Sequence, residues 1–306
     1  MKKIHKTWLF LIITFTASYS LAGLFYLFGG NFKGPYGTIM GALYMLIPML
    51  SVLLIEKGIY KEKIKEPLRI SFKLNLWFLA AILIPILLNI LSMGISLLLP
   101  DISFSPEMAG MFKRFESSMT GEEVVEMKQS MEEMSIHPVF LTLIYGVLAG
   151  ITVNGLFAFG EELGWRGFLL RAFKRLSFVK ASLLIGGIWG LWHAPLILQG
   201  HNYPQHPVTG VFMMTAWCIL LAFLFNYITL KAKSVIAAAI MHGVLNGTAG
   251  ISLMLVEGGN DLIIGVSGVS GFIAILLTIL GLFFYDYFIS KEKIMLHSID
   301  KSWIEA

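Results

Sequence analysis

Long apolar runs separated by short polar segments recur along the whole chain. Each is close to the length of about 20 residues that spans the hydrocarbon core of a bilayer. The runs cover residues 8–28, 36–55, 74–99, 139–160, 179–198, 208–230, 234–256 and 262–289. Because backbone groups in lipid must be hydrogen-bonded within their own segment, these runs predict helices. The pattern therefore predicts an all-α fold, a polytopic membrane helix bundle with about eight transmembrane helices.

Composition supports a bilayer as the solvent. Of the 306 residues, 57% are hydrophobic and 14% are charged, against about 25% charged in soluble domains. The net charge of +4 fits basic loops at a membrane surface. Since no basic stripe is interleaved with aromatic residues, we expect no nucleic-acid partner. Cys218 is the only cysteine, which excludes an intrachain disulfide and a multi-cysteine metal site.

The loops between the runs alternate in charge. Lysine and arginine cluster at residues 2–6, 56–73, 171–180, 231–233 and 291–293, whereas the intervening loops are neutral, acidic or weakly basic. The positive-inside rule then places both termini in the cytoplasm. A signal peptide with a cleavage site near Ala22 is an alternative, but the first run continues to Phe28 and favours a retained helix. We expect a multi-pass protein of the cell membrane, in a bacterial plasma membrane.

A single transmembrane domain, residues 1–306, carries one sizeable extracytoplasmic insert at residues 101–138. Methionines and phenylalanines in the insert recur at helical spacing, and Thr120 begins a capping-box pattern that ends at Glu123. The insert is therefore predicted to be a helical hairpin that covers the outer face. Its methionine-rich surface also allows a lid or a peptide-binding cap.

Ionisable side chains inside a membrane span are functional hypotheses by default. Glu161, Glu162 and Arg166 lie together in the fourth apolar region. On a helix, Glu162 and Arg166 are four residues apart and share a face, which suits an ion pair. Glu161 is rotated by about 100° from Glu162 and is left without that partner. The unpaired carboxylate is the better candidate for a general base.

Two more polar pairs occur at helical spacing. In GIWGLWHAPL, Trp189 and His193 are four residues apart, and Pro195 is expected to distort the helix just beyond them. In MHGVLNG, His242 and Asn246 are also four apart. A histidine and an asparagine one turn apart offer two donors towards one point, which suits an anionic oxygen.

Glu161, His193 and His242 are expected to lie at similar depths in the membrane. Counted at 1.5 Å per residue from the basic loops, Glu161 lies roughly 15 Å deep, His242 roughly 12 Å and His193 roughly 20 Å. The three side chains can therefore meet in one cavity. The same count makes residues 139–171 too long for one straight span. It predicts a bend near one of three glycines, namely Gly146, Gly150 or Gly155.

Each of these groups also has a purely structural interpretation. A lone histidine in a span is often a hydrogen-bonded packing residue, and a Glu–Arg pair is often a structural ion pair. Several such groups on three helices, at compatible depths, favour a functional site instead. Uncharged or isolated polar residues accompany them within or near the spans, at Asn89, Asn154, Asn226 and Asp286.

The three motifs resemble those of the CPBP family of intramembrane endopeptidases, which includes type II CAAX prenyl endopeptidases and Abi proteins. EELGWR, residues 161–166, resembles its glutamate-pair motif. WGLWH, residues 189–193, resembles its aromatic-x-x-x-His motif, with tryptophan in place of the usual phenylalanine. HGVLN, residues 242–246, resembles its His-x-x-x-Asn motif. The motifs occur in the family's order, and the resemblance implies a catalytic core at residues 154–250.

The resemblance implies hydrolysis of a peptide bond in a membrane-associated peptide or protein. Glu161 and His193 would activate a water molecule, and His242 and Asn246 would form the oxyanion hole. The supporting residues that it implies are Glu162, Arg166 and Trp189. The partners are then the substrate and the lipid bilayer.

A metal ion is the alternative chemistry for the same residues. Glu161, His193 and His242 are a plausible zinc set, with water in the fourth position. The chain has no HExxH pair on one helix, however. Asn246 also makes better sense as an oxyanion donor than as a metal ligand. The sequence therefore favours chemistry without a cofactor.

Two other functions are compatible with the motifs. A non-catalytic immunity or scaffolding protein could bind a peptide in the same cavity, since some members of the family are associated with bacteriocin self-immunity. A transporter could use intramembrane carboxylates and histidines as a proton relay. The chain lacks repeated halves with paired broken helices, which disfavours the transporter. The complete Glu–His–His–Asn set favours catalysis.

Overall fold

A helical bundle forms the whole of the structure, a computed structural model that describes residues 5–32, 35–115 and 121–304. The first half contains α1 (Lys6–Leu27), α2 (Pro35–Leu53, continued by a π-helical turn, Leu54–Ile59), α3 (Leu76–Ser96), α4 (Ala109–Phe115), α5 (Gly121–Glu132), α6 (Pro138–Ile151) and α7 (Val153–Glu162). A π-helical turn (Leu163–Leu169) and α8 (Leu170–Ala172) continue α7. The second half contains α9 (Phe178–Trp192), α10 (Ala194–Leu198), α11 (Pro207–Ala232), α12 (Val235–Thr248), α13 (Ile251–Met254), α14 (Val269–Phe284, continued by a π-helical turn, Tyr285–Ile289) and α15 (Ile299–Ile304).

The prediction of a polytopic helical membrane bundle is confirmed. Within the described residues, 6 helices are long and apolar enough to cross a bilayer, and a bent pair raises the number to 7. The fifth predicted span, residues 179–198, corresponds to α9 and α10, and α9 has only 15 residues, which is short for the roughly 20 that a perpendicular span needs. The count of eight therefore stays a prediction. The last span begins at Val269, seven residues later than predicted, because a turn occupies residues 262–268.

The predicted bend in the fourth span is present. α6 and α7 meet at an angle of 50°. The break lies at Thr152, whose backbone (φ −113°, ψ −98°) leaves the helical region, between two of the three glycines proposed for it. The bend folds the chain so tightly that a Cβ on Gly155 would lie 2.6 Å from the carbonyl oxygen of Gly150. Only glycine fits at residue 155 without a shift of the backbone.

A seam of glycines lets α12 pack against α6 and α7 at backbone contact. A Cβ on Gly243 would lie 2.2 Å from the Gly150 oxygen, and one on Gly247 would lie 2.2 Å from the Gly146 oxygen. Gly146 and Gly150 on α6, like Gly243 and Gly247 on α12, have small-xxx-small spacing, which allows helices to approach closely in membranes. This close approach brings the face of α12 that carries His242 onto the helix of the glutamate pair.

Loops of like charge gather at the two ends of the bundle. At the end that we call the basic end, Lys231 pairs with Glu292 at 2.8 Å, and the Val235 amide donates to the Arg69 carbonyl at 2.9 Å. At the opposite end, the Gln205 amide donates to Asp261 Oδ2 at 2.7 Å. The segregation matches the alternation of charge along the sequence. Which end faces the cytoplasm remains a prediction of the positive-inside rule.

The insert at residues 101–138 contains the two helices α4 and α5, and it also forms a two-stranded sheet that was not predicted. Strand β1 (Ser103–Phe104) pairs antiparallel with β2 (Val256–Glu257), which follows α13. Arg114 reinforces the contact by donating to the Val256 carbonyl at 3.1 Å. A small apolar cluster, separate from the main core, joins the insert to α13 through Met108, Phe112, Val124 and Met254. The predicted capping residue Thr120 lies outside the described residues.

Candidate active site

A buried ion pair lies at the centre of the site. Arg166 Nη1 lies 3.1 Å from Glu162 Oε2, and both side chains are 0% exposed. The pair has the i,i+4 spacing predicted from the sequence, and it is carried by the π-helical turn that continues α7. The guanidinium carbon lies 4.3 Å from the ring centroid of Trp189 and 4.6 Å from that of Phe225. Arg166 is therefore held between two aromatic rings as well as by a carboxylate.

Trp189 joins the remaining groups of the site. Its indole Nε1 donates to Glu161 Oε2 at 2.7 Å. Its ring centroid lies 5.7 Å from that of His193 and 5.6 Å from that of His242. The residue comes from α9, which packs tightly on α11 because Gly186 leaves room for the backbone of Ile219. Trp189 thus holds the unpaired glutamate and contacts both candidate histidines.

His242 bonds to the other glutamate. Its Nδ1 lies 2.8 Å from Glu162 Oε1, so Glu162 bridges Arg166 and His242. A carboxylate only accepts hydrogen bonds, so Nδ1 carries the proton and donates. The second ring nitrogen, Nε2, is left for a ligand. It can donate a hydrogen bond only when the imidazole is doubly protonated.

His193 lies where α9 ends. α9 stops at Trp192, and α10 restarts with Pro195 in its first turn, so the predicted distortion is confirmed. The Nδ1 of His193 lies 2.9 Å from the Trp189 carbonyl oxygen, to which it must donate. Nε2 therefore keeps its lone pair. The Sγ of Cys218 lies 3.8 Å from the same Nδ1.

Asn246 differs from the other predicted residues because it is exposed. It lies one turn beyond His242 on α12, and within the described part of the chain it makes no hydrogen bond. Likewise, no direct hydrogen bond joins Glu161 to His193 among the described residues. The structure therefore assembles Glu161, Glu162, Arg166, Trp189 and His242 by direct contacts, places His193 against the ring of Trp189, and leaves Asn246 unpaired at the edge.

Comparison of the sequence with known proteins indicates which class of enzyme carries a site of this kind. A family model described as type II CAAX prenyl endopeptidase Rce1-like matches residues 135–248, which include every predicted site residue. A curated archaeal protein, CAAX prenyl protease 2 of Methanococcus maripaludis, is 29% identical over 250 residues. The match covers 78% of this chain and 82% of that protein. The segment at residues 135–248 is therefore an Rce1-like domain.

These two matches, together with the membrane-spanning helices, make the chain a protease embedded in the membrane. A purely non-catalytic role is therefore disfavoured. The curated relative is archaeal, so the expected bacterial plasma membrane remains a prediction. The family match does not assign roles to individual side chains, and those roles are taken up below as proposals.

The alternative metal set of this Rce1-like protease is not assembled as a ligand shell. Across residues 5–32, 35–115 and 121–304, no three His, Cys, Asp or Glu side chains are placed to share a metal ion. Glu161 Oε2 accepts from the Trp189 indole and His193 Nδ1 donates to the Trp189 carbonyl, so the candidate ligand atoms are Glu161 Oε1 and the Nε2 atoms of the two histidines. Binding of zinc by Glu161, His193 and His242 would need these side chains to rearrange.

Three of the other polar residues of the spans have structural partners. Asn226 donates to Ser182 Oγ at 3.1 Å. Asn89 donates to Thr248 Oγ1 at 3.2 Å. Asp286 accepts from the Tyr227 hydroxyl at 2.9 Å, outside the site. These residues pin helices to each other and are not candidates for catalysis.

Sequence reasoning missed two residues of α11 that touch the site. Phe225 contacts both Arg166 and His242, with a centroid distance of 5.7 Å to the histidine ring. Cys218 lies against His193. Both come from α11, a continuous apolar helix in which nothing distinguishes one phenylalanine from another. The glycine seam did have a signal, because Gly146-xxx-Gly150 and Gly243-xxx-Gly247 are both small-xxx-small motifs.

Proposed function

We propose that this Rce1-like protease hydrolyses a peptide bond of a membrane-associated peptide or protein, with Glu161 as the general base. One observation carries the proposal. Glu161 is a buried carboxylate outside the Glu162–Arg166 pair, and it is held by Trp189, whose ring contacts both histidines. A carboxylate in this position has one oxygen bonded to the indole, and its second oxygen can receive a proton.

The first step is attack of water on the scissile carbonyl carbon. The water transfers a proton to Glu161 while its oxygen bonds to the carbon, and His193 Nε2 orients the water by accepting its second hydrogen. The tetrahedral intermediate collapses as Glu161 passes that proton to the leaving nitrogen. The carbon–nitrogen bond breaks, and the products are a carboxylic acid and an amine.

His242 and Asn246 form the oxyanion hole of the proposed reaction. The Asn246 amide donates one hydrogen bond, and His242 Nε2 donates the other when both ring nitrogens are protonated. A positive His242 also balances charge, because Glu161, Glu162 and Arg166 together carry one excess negative charge. Donors that are fixed before the reaction stabilise the oxyanion without reorganisation.

The substrate is proposed to be tethered to the membrane, because the site lies within the spans. The name of the curated relative points to prenylated CAAX sequences as one substrate class to test. Peptide pheromones, bacteriocin precursors and tails of membrane proteins are the other classes that a bacterial origin would favour.

The experiment is cleavage of peptides by the purified protein in detergent. Each peptide is supplied with and without a farnesyl group, and wild type is compared with His193→Ala and Glu161→Ala, with and without a chelator. We expect cleavage by wild type that survives chelation and is lost in both variants. Cleavage abolished by the chelator and restored by zinc would favour the metal alternative. Unchanged cleavage by Glu161→Ala would contradict the proposal.

A further inference from the structure

A second asparagine, besides Asn246, lies beside the proposed site and has no assigned role. Asn154 is the second residue of α7, directly after the break at Thr152. It precedes Glu161 by seven residues, which is two helical turns along the same face. Its amide nitrogen lies 3.2 Å from the point where a Cβ on Gly247 would be. Asn154 therefore lies beside Gly247, the residue that follows Asn246 in α12.

Asn154 shares with Asn246 a property that the other intramembrane asparagines lack. Asn89 and Asn226 are fully buried and donate to side chains of neighbouring helices. Asn154 is only partly buried, and within the described residues it has no hydrogen-bond partner. Polar side chains in a membrane span are costly unless they face a partner or a cavity. An amide without a partner in the described chain therefore indicates a residue that is available to bind a ligand.

A cleft of about 500 Å³ opens in front of Asn154. α6 supplies one wall through Pro138, Leu141, Tyr145 and Ala149, and Gly247 of α12 supplies another. Met134, from the segment that follows α5, lies at the rim. The cleft therefore has mostly apolar walls and one unpaired amide, and it reaches Gly247, the residue that follows Asn246 in α12.

We propose that Asn154 is a substrate-binding residue that holds the backbone of the peptide substrate beside the scissile bond. A carboxamide both donates and accepts, so it can pair with the N–H and the C=O of one peptide unit. The apolar walls of the cleft take the neighbouring side chain of the substrate. This proposal rests on the proposed function, since it assigns the contacts made by the same peptide.

The chemistry of the residue explains why an amide is used. A charged side chain at this depth would need a permanent counter-charge, which would occupy the position meant for the substrate. An asparagine can remain unpaired at lower cost until a peptide arrives. Asn246 is proposed to bind the carbonyl oxygen, which becomes negative during the reaction. Asn154 instead binds peptide groups whose charge does not change between the bound substrate and the intermediate. Loss of Asn154 should therefore weaken binding of substrate and intermediate alike.

The experiment measures affinity and turnover separately. A fluorescein-labelled farnesylated peptide ending in a CAAX sequence is titrated with Glu161→Gln protein, which binds without cleaving, and with the same protein carrying Asn154→Ala. We expect the second variant to bind about tenfold more weakly, as the loss of one or two hydrogen bonds implies. In the otherwise wild-type protein, Asn154→Ala should raise KM by about the same factor and change kcat by less than about threefold. Asn226→Ala is the matched control and should change neither.

Three results would overturn this assignment. The first is equal affinity of the Glu161→Gln protein and the Glu161→Gln protein that also carries Asn154→Ala, and a failure of both to bind the peptide counts as this result. The second is a fall in kcat without a rise in KM. The third is an equal loss of affinity in Asn226→Ala, which would mean that any intramembrane asparagine has the same effect. If Asn154→Ala does not fold, Asn154→Asp is used in its place, because it keeps the size and removes the donor. Cleavage by Glu161→Gln at the wild-type rate would instead contradict the proposed function and leave the affinity comparison valid.

Discussion

The site has two halves that differ in how their polar groups are satisfied. In the half that we call the closed half, Glu161, Glu162, Arg166 and His242 are at most 6% exposed and bond to protein. In the open half, Asn154, Asn246 and the Nε2 face of His193 are more accessible, and both amides lack partners in the described chain. Burial of an unpaired charge costs far more than burial of an unpaired amide. The ionisable groups therefore already bond to the protein, and the two amides are left for the substrate.

This comparison predicts that substitutions in the closed half reduce stability and activity together. Arg166→Leu would leave Glu162 buried with only His242 as a partner. Removal of one member of a buried ion pair typically costs about 3–5 kcal/mol. We expect a clear fall in thermal stability and no measurable cleavage. Both can be followed in detergent by an unfolding scan and the peptide assay. Wild-type stability in Arg166→Leu would show that the closed half is not held by its charges.

Asn246→Ala should have the next largest effect, and it should reduce activity alone. Loss of one oxyanion donor typically lowers kcat by about 10²–10³-fold. The unfolding temperature should stay close to that of wild type, because Asn246 is exposed and makes no hydrogen bond within the described residues. Steady-state kinetics and an unfolding scan on the same sample provide the measurement. A variant that loses stability as strongly as Arg166→Leu would remove the distinction between the two halves.

Trp189→Phe should have a smaller effect. The substitution keeps an aromatic ring beside the histidines and removes only the N–H that donates to Glu161 at 2.7 Å. A hydrogen bond to a charged group is worth roughly 1.5–3 kcal/mol, but phenylalanine is the usual residue in the motif that this segment resembles. We therefore expect kcat to fall by about tenfold, near the lower limit of that range. An unchanged kcat would mean that the indole does not position the base.

Asn226→Ala should have the smallest effect on activity. Asn226 is as buried as the closed half, but its partner is Ser182 on α9 and it lies outside the site. We expect a loss of about 0.5–1.5 kcal/mol in stability and kcat within about twofold of wild type. A large loss of activity would indicate that packing between α9 and α11 controls the site. The division into a closed and an open half would then be incomplete.

The sequence predicted the closed half better than the open half. Spacing of four residues predicts that Glu162 and Arg166 share a helix face, and the observed ion pair at 3.1 Å confirms it. The bend was predicted because the fourth apolar region is too long for one span. Such features follow from helical periodicity and length, which are local properties of the chain.

Features that depend on contacts between distant segments could not be predicted in this way. The bond of His242 to Glu162 rather than Glu161 depends on how the glycine seam orients α12. Phe225 reaches Arg166 only because α11 packs beside both helices. The pairing of β1 with β2 joins segments more than 150 residues apart. Asn154 was noted only as a polar residue in a span, and its lack of a partner required the structure.

The most direct test of the central claim is the comparison of Glu161→Gln with wild type in both cleavage and stability. Glutamine keeps the size of the side chain and can still meet the Trp189 indole through its carbonyl oxygen, but it cannot accept a proton from water. The account predicts a loss of about 10²–10⁴-fold in kcat, with peptide affinity and unfolding temperature near those of wild type. Cleavage at the wild-type rate by folded Glu161→Gln protein would contradict it.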